Sequence, residues 1–226
     1  MLTVENIKQL INRCRLISIL GLNGISVNIP ELKIDILKPP HDFVGVGGNP
    51  AIFINQYTYR LLGKKHKNWV VNETIAMKAI LLNKPAIEVI GAIVHEVGHA
   101  FNVAAKIPNT EANAYIFEIE VMCKLFETKY HLLGKCTSAD AEAYFKSRLS
   151  YYKMEINDTT LAKLVAGLKC EFDLEPAPPL QKQNPNHLPN LFFPEKFSFF
   201  ARKHWKAECE LIRLKMDSHL PRIVVN

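Results

Sequence analysis

The chain has 226 residues, 48% of them hydrophobic and 22% charged, a balance that excludes a disordered or fibrous protein and leaves room for one domain with a sizeable core, or one domain plus a helical extension. The formal net charge of +6 favours acidic partners only weakly. The basic residues are scattered and carry no known reader motif, so no specific nucleic-acid binding is expected.

The N-terminal stretch has apolar positions at Val4, Ile7, Leu10, Ile11, Cys14 and Ile17, spacing that predicts a helix over 3–20, ended by Gly21 and Gly24. Glu5, Lys8, Arg13 and Arg15 interrupt that stretch, so it lacks the apolar core of a secretory signal. No apolar run approaches the ~18 residues that span a bilayer. A soluble protein is expected, cytoplasmic or leaving its cell without a cleaved signal peptide. Cys14, Cys123, Cys136, Cys170 and Cys209 are odd in number and form no CxxC pair. Neither a zinc ribbon nor a redox motif is indicated, and the thiols read as reduced.

Residues 25–37 alternate apolar and polar, predicting one or two strands that Pro30 breaks or confines to an edge. A Pro/Gly-rich turn region follows at 39–50, then a short strand at 51–55. Arg60, Lys64, Lys65, His66 and Lys67 form a local basic cluster. Trp69, Val70 and Val71 suggest another strand, and Thr74 to Leu82 a short helix. Helical patterns then run from Pro85 to Ala105, from a Thr110 cap to about Lys129, from Ser138 to about Met154, and from Asp158 to about Phe172. A Pro/Asn-rich linker at 176–193 precedes an aromatic, basic helical tail at 194–226, a possible partner-binding element. The expected fold class is α+β: a domain over 1–175 with a small mixed sheet, then a mostly helical part.

The segment AIVHEVGHAF, residues 92–101, contains HExxH. On a helix, positions four apart share a face, so His95 and His99 can present two imidazoles to one metal ion. Zinc accepts neutral imidazole nitrogen and tolerates an open position. Glu96, beside the first histidine, can take a proton from the attacking water. Its neighbours from Ala92 to Phe101 are uncharged, and a metal would satisfy the polar groups buried among them. Gly98 costs about 1 kcal/mol against Ala in a helix interior, which a close-packed backbone would explain.

This segment resembles the active-site helix of the zincin metallopeptidases. Asn102 and Ala105 do not continue it as a metzincin motif, so the resemblance is to gluzincins, whose third ligand is a glutamate on the following helix. That helix begins TEANAY and is similar to the third-ligand segment of small bacterial HExxH proteins. The match implies Glu111 as the third zinc ligand, with Glu118 the alternative on the same face. Tyr115 stands where the gluzincin ExxxD pattern has its aspartate. Its roles left open are support of a ligand histidine, oxyanion donor or plain core. Tyr144, Tyr151, Tyr152 and His204 are further oxyanion candidates. In a zincin the short strand after GVGG would lie along the active-site helix and pair with extended substrate.

The resemblance implies a zincin-like core, Zn2+ as cofactor, and endopeptidase activity with Glu96 catalytic. The chain as a whole is also similar to bacterial effector proteases, which implies delivery into a host cytosol by a specialised secretion system and a host protein as substrate, with actin as the candidate. The alternative is a catalytically inactive zincin-like module that holds zinc or a partner without hydrolysis.

Overall fold

Thr3 opens the first helix, α1 (Val4–Leu20), through a capping box. Its hydroxyl accepts from the Asn6 N–H, and the Asn6 side chain accepts from the Thr3 N–H. Gly21 ends α1 at φ 107, a conformation side chains rarely adopt. The structure, a computed structural model, describes residues 2–45, 48–155, 157–172 and 174. The expected linker at 176–193 and tail at 194–226, with His204 and Cys209, lie outside the described residues.

The sheet has three strands: β1 (Lys33–Leu37), β2 (Ala51–Phe53) and β3 (Thr74–Lys78), in the order β1-β3-β2. β1 runs parallel to β3, with Asp35 opposite Ala76, and β2 runs antiparallel to it, with Ile52 opposite Ala76. Alternation gives the sheet two faces. Ala51, Phe53, Ile75 and Met77 join the main core, while Leu37, Ile54, Trp69 and Ala76 form a smaller core on the other face.

Two expectations fail here, and both failures meet at Thr74. Thr74–Lys78 is the central strand rather than the start of a helix, with only a 3-10 turn following over Ala79–Asn83. Burial between two strands overrides the helix preference of Ala76 and Met77. Residues 69–71 are not a strand: the Val70 N–H is taken by the Thr74 hydroxyl at 2.9 Å. Trp69 instead donates its indole N–H to Asp35 at 2.8 Å and stacks on His66. The cluster from Arg60 to Lys65 falls on α2 (Gln56–Leu62), a helix the periodicity did not announce, and on the 3-10 turn after it.

The remaining helices follow the sequence closely: α3 (Ala86–Ala104), α4 (Glu111–Glu127), α5 (Ser138–Met154) and α6 (Thr159–Glu171). Thr110 and Asp158 cap α4 and α6 as expected, whereas α5 is capped by Thr137, one residue before the expected Ser138. α3 is the central helix. Ile90, Ile93, Val94 and Val97 are fully buried, each stabilising the fold by about 1.5–3 kcal/mol relative to exposure. The chain reverses after α3 through Lys106 at φ 58, bringing α4 back against it. A Cβ on Gly98 would lie 3.0 Å from the Ala114 carbonyl oxygen, so this glycine admits the close approach of α3 and α4. The architecture is α+β, six helices and one small mixed sheet among the described residues. The four described cysteines are free, and no described helix is long and apolar enough to cross a membrane.

Candidate metal centre

The helical repeat of α3 sets His95 and His99 side by side, with ring centroids 5.0 Å apart and planes perpendicular. Glu111 occupies the first turn of α4, where the helix dipole favours a carboxylate. The reversal between the helices delivers it to both rings. One oxygen lies 3.1 Å from His95 Nε2 and the other 3.5 Å from His99 Nε2. One ligand atom from each of the three residues fits within 4.8 Å of the others. The two imidazole side chains are about nine-tenths buried, while Glu111 is 53% exposed, so the cluster opens to solvent on the glutamate side.

The donor set fits a divalent cation. Both histidines spend Nδ1 on an outer acceptor: His95 on Glu118 at 3.0 Å, and His99 on the Asn109 side-chain oxygen at 2.8 Å. That fixes each ring and leaves each Nε2 to face Glu111, the arrangement by which ligand histidines are held. Two imidazole nitrogens and one carboxylate, open to solvent on one side, form a group that could hold a metal ion. The electrostatics agree. Burial alone would lower the His95 pKa, but hydrogen bonds to Glu111 and Glu118, with the charge of Glu96, outweigh it and raise it to about 10. His99 is likewise raised, its burial outweighed chiefly by Glu111. The two histidines hold Glu111 well below the usual carboxylate range. The site therefore carries surplus negative charge that protons or a cation must balance.

Glu118, the sequence alternative for third ligand, sits on the opposite nitrogen of His95 from Glu111. Its side chain has no solvent exposure. It accepts from the Tyr144 and Tyr152 hydroxyls, each at 2.8 Å, and from Arg148 through both Nε and Nη2, at 2.9 and 2.7 Å. This bidentate pairing compensates a charge that burial would otherwise expel. Gly91 makes room for the cluster, since a Cβ there would collide with the Tyr144 hydroxyl. Tyr115 packs beside His95, with ring centroids 4.8 Å apart, and Arg148 lies over the Tyr115 ring at 5.5 Å. Burial raises the Tyr115 hydroxyl pKa to about 12, so it remains a proton donor. Tyr144 and Tyr152, oxyanion candidates by sequence, are buried on Glu118 instead. Tyr151 is exposed and stacks under Arg148 at 4.9 Å.

Glu96 points toward the sheet. Its carboxylate accepts the Phe53 backbone N–H at 2.6 Å. In β2, Ile54 N–H donates to Thr74 and Pro50 accepts from Lys78, so even positions face β3. Odd positions, Ala51 and Phe53, turn their backbone groups toward the free edge. Glu96 thus lies where the outer edge of β2 meets the helix that carries His95 and His99.

The structure brings His95, Glu96, His99 and Glu111 together, and separates Glu118 onto the outer side of His95. Sequence reasoning missed Asn109 and Arg148. Asn109 carried a usable signal, lying two residues before Glu111 in the turn that must pass the histidines. Arg148 carried none. No protein-family profile, curated protein or solved structure matches the chain.

Proposed function

We propose that the protein is a zinc-dependent endopeptidase, a reading carried by the convergence of His95 Nε2, His99 Nε2 and the Glu111 carboxylate beside Glu96. His95, His99 and Glu111 would hold the ion, which when bound supplies the Lewis acidity that acidifies water and polarises a carbonyl. Glu96 takes the proton of the attacking water and returns it to the departing amine. The Phe53 N–H aims and steadies that carboxylate while it is charged. The outer edge of β2 at Ala51 would offer a backbone N–H and carbonyl to an extended substrate strand, which would place a peptide carbonyl alongside Glu96. Glu118 and Asn109 hold the two rings and keep each Nε2 free of a proton when a cation is bound.

The rival reading, an inactive module that only holds zinc, leaves Glu96 the structural task of accepting the Phe53 N–H. The open face at Glu111 favours a site that receives substrate. On resemblance, the substrate is a host protein and the chain a bacterial effector, with actin the first protein to assay. The test is metal analysis of the purified chain, followed by incubation with actin with and without a chelator. One zinc per chain and chelator-sensitive fragments are expected. A chain that binds no zinc would sink the reading, and fragments that survive the chelator would sink the mechanism.

A further inference from the structure

A second polar site lies between α3, α4 and the turn after α1. A cavity of about 180 Å³ is lined there by Leu22, Ile25, Phe101 and Ile116, with Asn102 and Glu120 among the polar residues. Asn102 is fully buried and Glu120 is 2% exposed. Neither oxygen of Glu120, nor the side-chain oxygen of Asn102, has a hydrogen-bond partner. The Asn102 amide is oriented by its other end, since its NH2 points to the Asn109 oxygen at 3.5 Å. That leaves its oxygen as the free atom. The unsatisfied atoms of this pair are therefore all acceptors, in a buried place where leaving such groups unpaired is costly, and more so when they are charged.

The charge of Lys124 and a weak side-chain hydrogen-bonding interaction with Asn23, too poorly aligned to satisfy either oxygen, both favour the charged form of Glu120. The Lys124 ammonium also lies 3.4 Å from the Gly21 carbonyl. Burial dominates these neighbours and pushes the Glu120 carboxyl up to about 7. The missing group is a donor, and preferably a cation. A hard metal ion is a poor fit, because it wants six to eight oxygens, and half of the residues lining the cavity are apolar. An ammonium on a short hydrocarbon stem suits both parts: the head meets Glu120 and Asn102, and the stem lies along Leu22, Ile25, Phe101 and Ile116.

We infer that this cavity is a binding site for a primary alkylammonium group, held by Glu120 and Asn102. Two sources share that chemistry, a diffusible alkylamine and the lysine side chain of another protein. The site stands whether or not the metal centre cuts peptide bonds.

The test is methyl NMR on the full-length chain at pH 8, titrated with n-butylammonium, with n-butanol as the uncharged match, and with a lysine capped at both ends. Butylammonium is expected to shift the Leu22, Ile25 and Ile116 methyls saturably, and butanol is not. Glu120→Gln keeps the shape, removes the charge and should weaken binding at least tenfold. Ile116→Trp, which fills the cavity from a half-buried wall, should abolish binding independently. Capped lysine binding as well as butylammonium identifies a protein side chain as the occupant, and butylammonium alone identifies a diffusible amine. No saturable shift with either amine, equal shifts with butanol, or binding unchanged in Glu120→Gln would overturn the assignment, leaving a cavity that holds water only.

Discussion

His95 and His99 are the same residue type, four positions apart on one helix, yet they are held in opposite ways. Behind His95 stands a sealed, charged cluster: Glu118 at zero exposure, a bidentate Arg148 and two tyrosine hydroxyls. Behind His99 stands a neutral amide, Asn109, in the exposed turn between α3 and α4. A buried charge pair is rigid but costly to disturb. An exposed amide is replaced by water with little loss. One ligand is thus anchored to the core of the molecule, and the other is tethered to a turn.

The largest effect should come from breaking the anchored side. Arg148→Met leaves Glu118 charged and buried without its partner, and should cost about 3–5 kcal/mol of stability, read by denaturant unfolding of the metal-free chain. A loss under about 1 kcal/mol, the range of exposed pairs, would show that the cluster is not sealed. Next, Glu118→Gln should keep the fold but weaken zinc binding by about 10–100-fold, measured by competition with a chromogenic chelator. Asn109→Ala should weaken it by less than about tenfold, at the low end of the same range. An Asn109 effect as large as that of Glu118 would erase the asymmetry.

The last effect concerns pH. The His95 pKa in the metal-free chain is raised from 6.5 to about 10. A raised histidine pKa gives stability that is fully present below 6.5 and is lost as pH rises through 10. Zinc binding displaces the same proton, so the zinc-loaded chain should escape this loss. The Tm advantage of the zinc-loaded chain over the metal-free chain should therefore widen from pH 6.5 to pH 10, followed by thermal unfolding across that range. A constant gap would mean that His95 is not the proton-binding ligand.

The half of the site that sequence made legible is the local half. His95, Glu96 and His99 are fixed by the helical repeat, whereas Glu111 came from the resemblance of TEANAY to a third-ligand segment, with Glu118 left as the alternative on the same face. Gly98 was legible too, because a helix glycine amid large apolar residues asks for a close neighbour, and α4 is that neighbour. Arg148, Tyr144 and Tyr152 could not be placed, because these residues of α5 lie 26 to 34 positions beyond Glu118 and no periodicity says which helix α5 packs on. The error at Thr74–Lys78 has a similar origin. Ala76 and Met77 prefer helix locally, and only pairing to β1 and β2 makes them a strand.

The most direct test of the central claim compares wild type with Glu96→Gln, both loaded with one zinc per chain, in a eukaryotic cell lysate whose new protein N-termini are mapped by mass spectrometry. A small set of termini made by wild type, and absent with Glu96→Gln and with chelator, is the predicted result. Equal termini from both proteins, or none from either across lysates that contain actin, would contradict a peptidase in which Glu96 moves the proton.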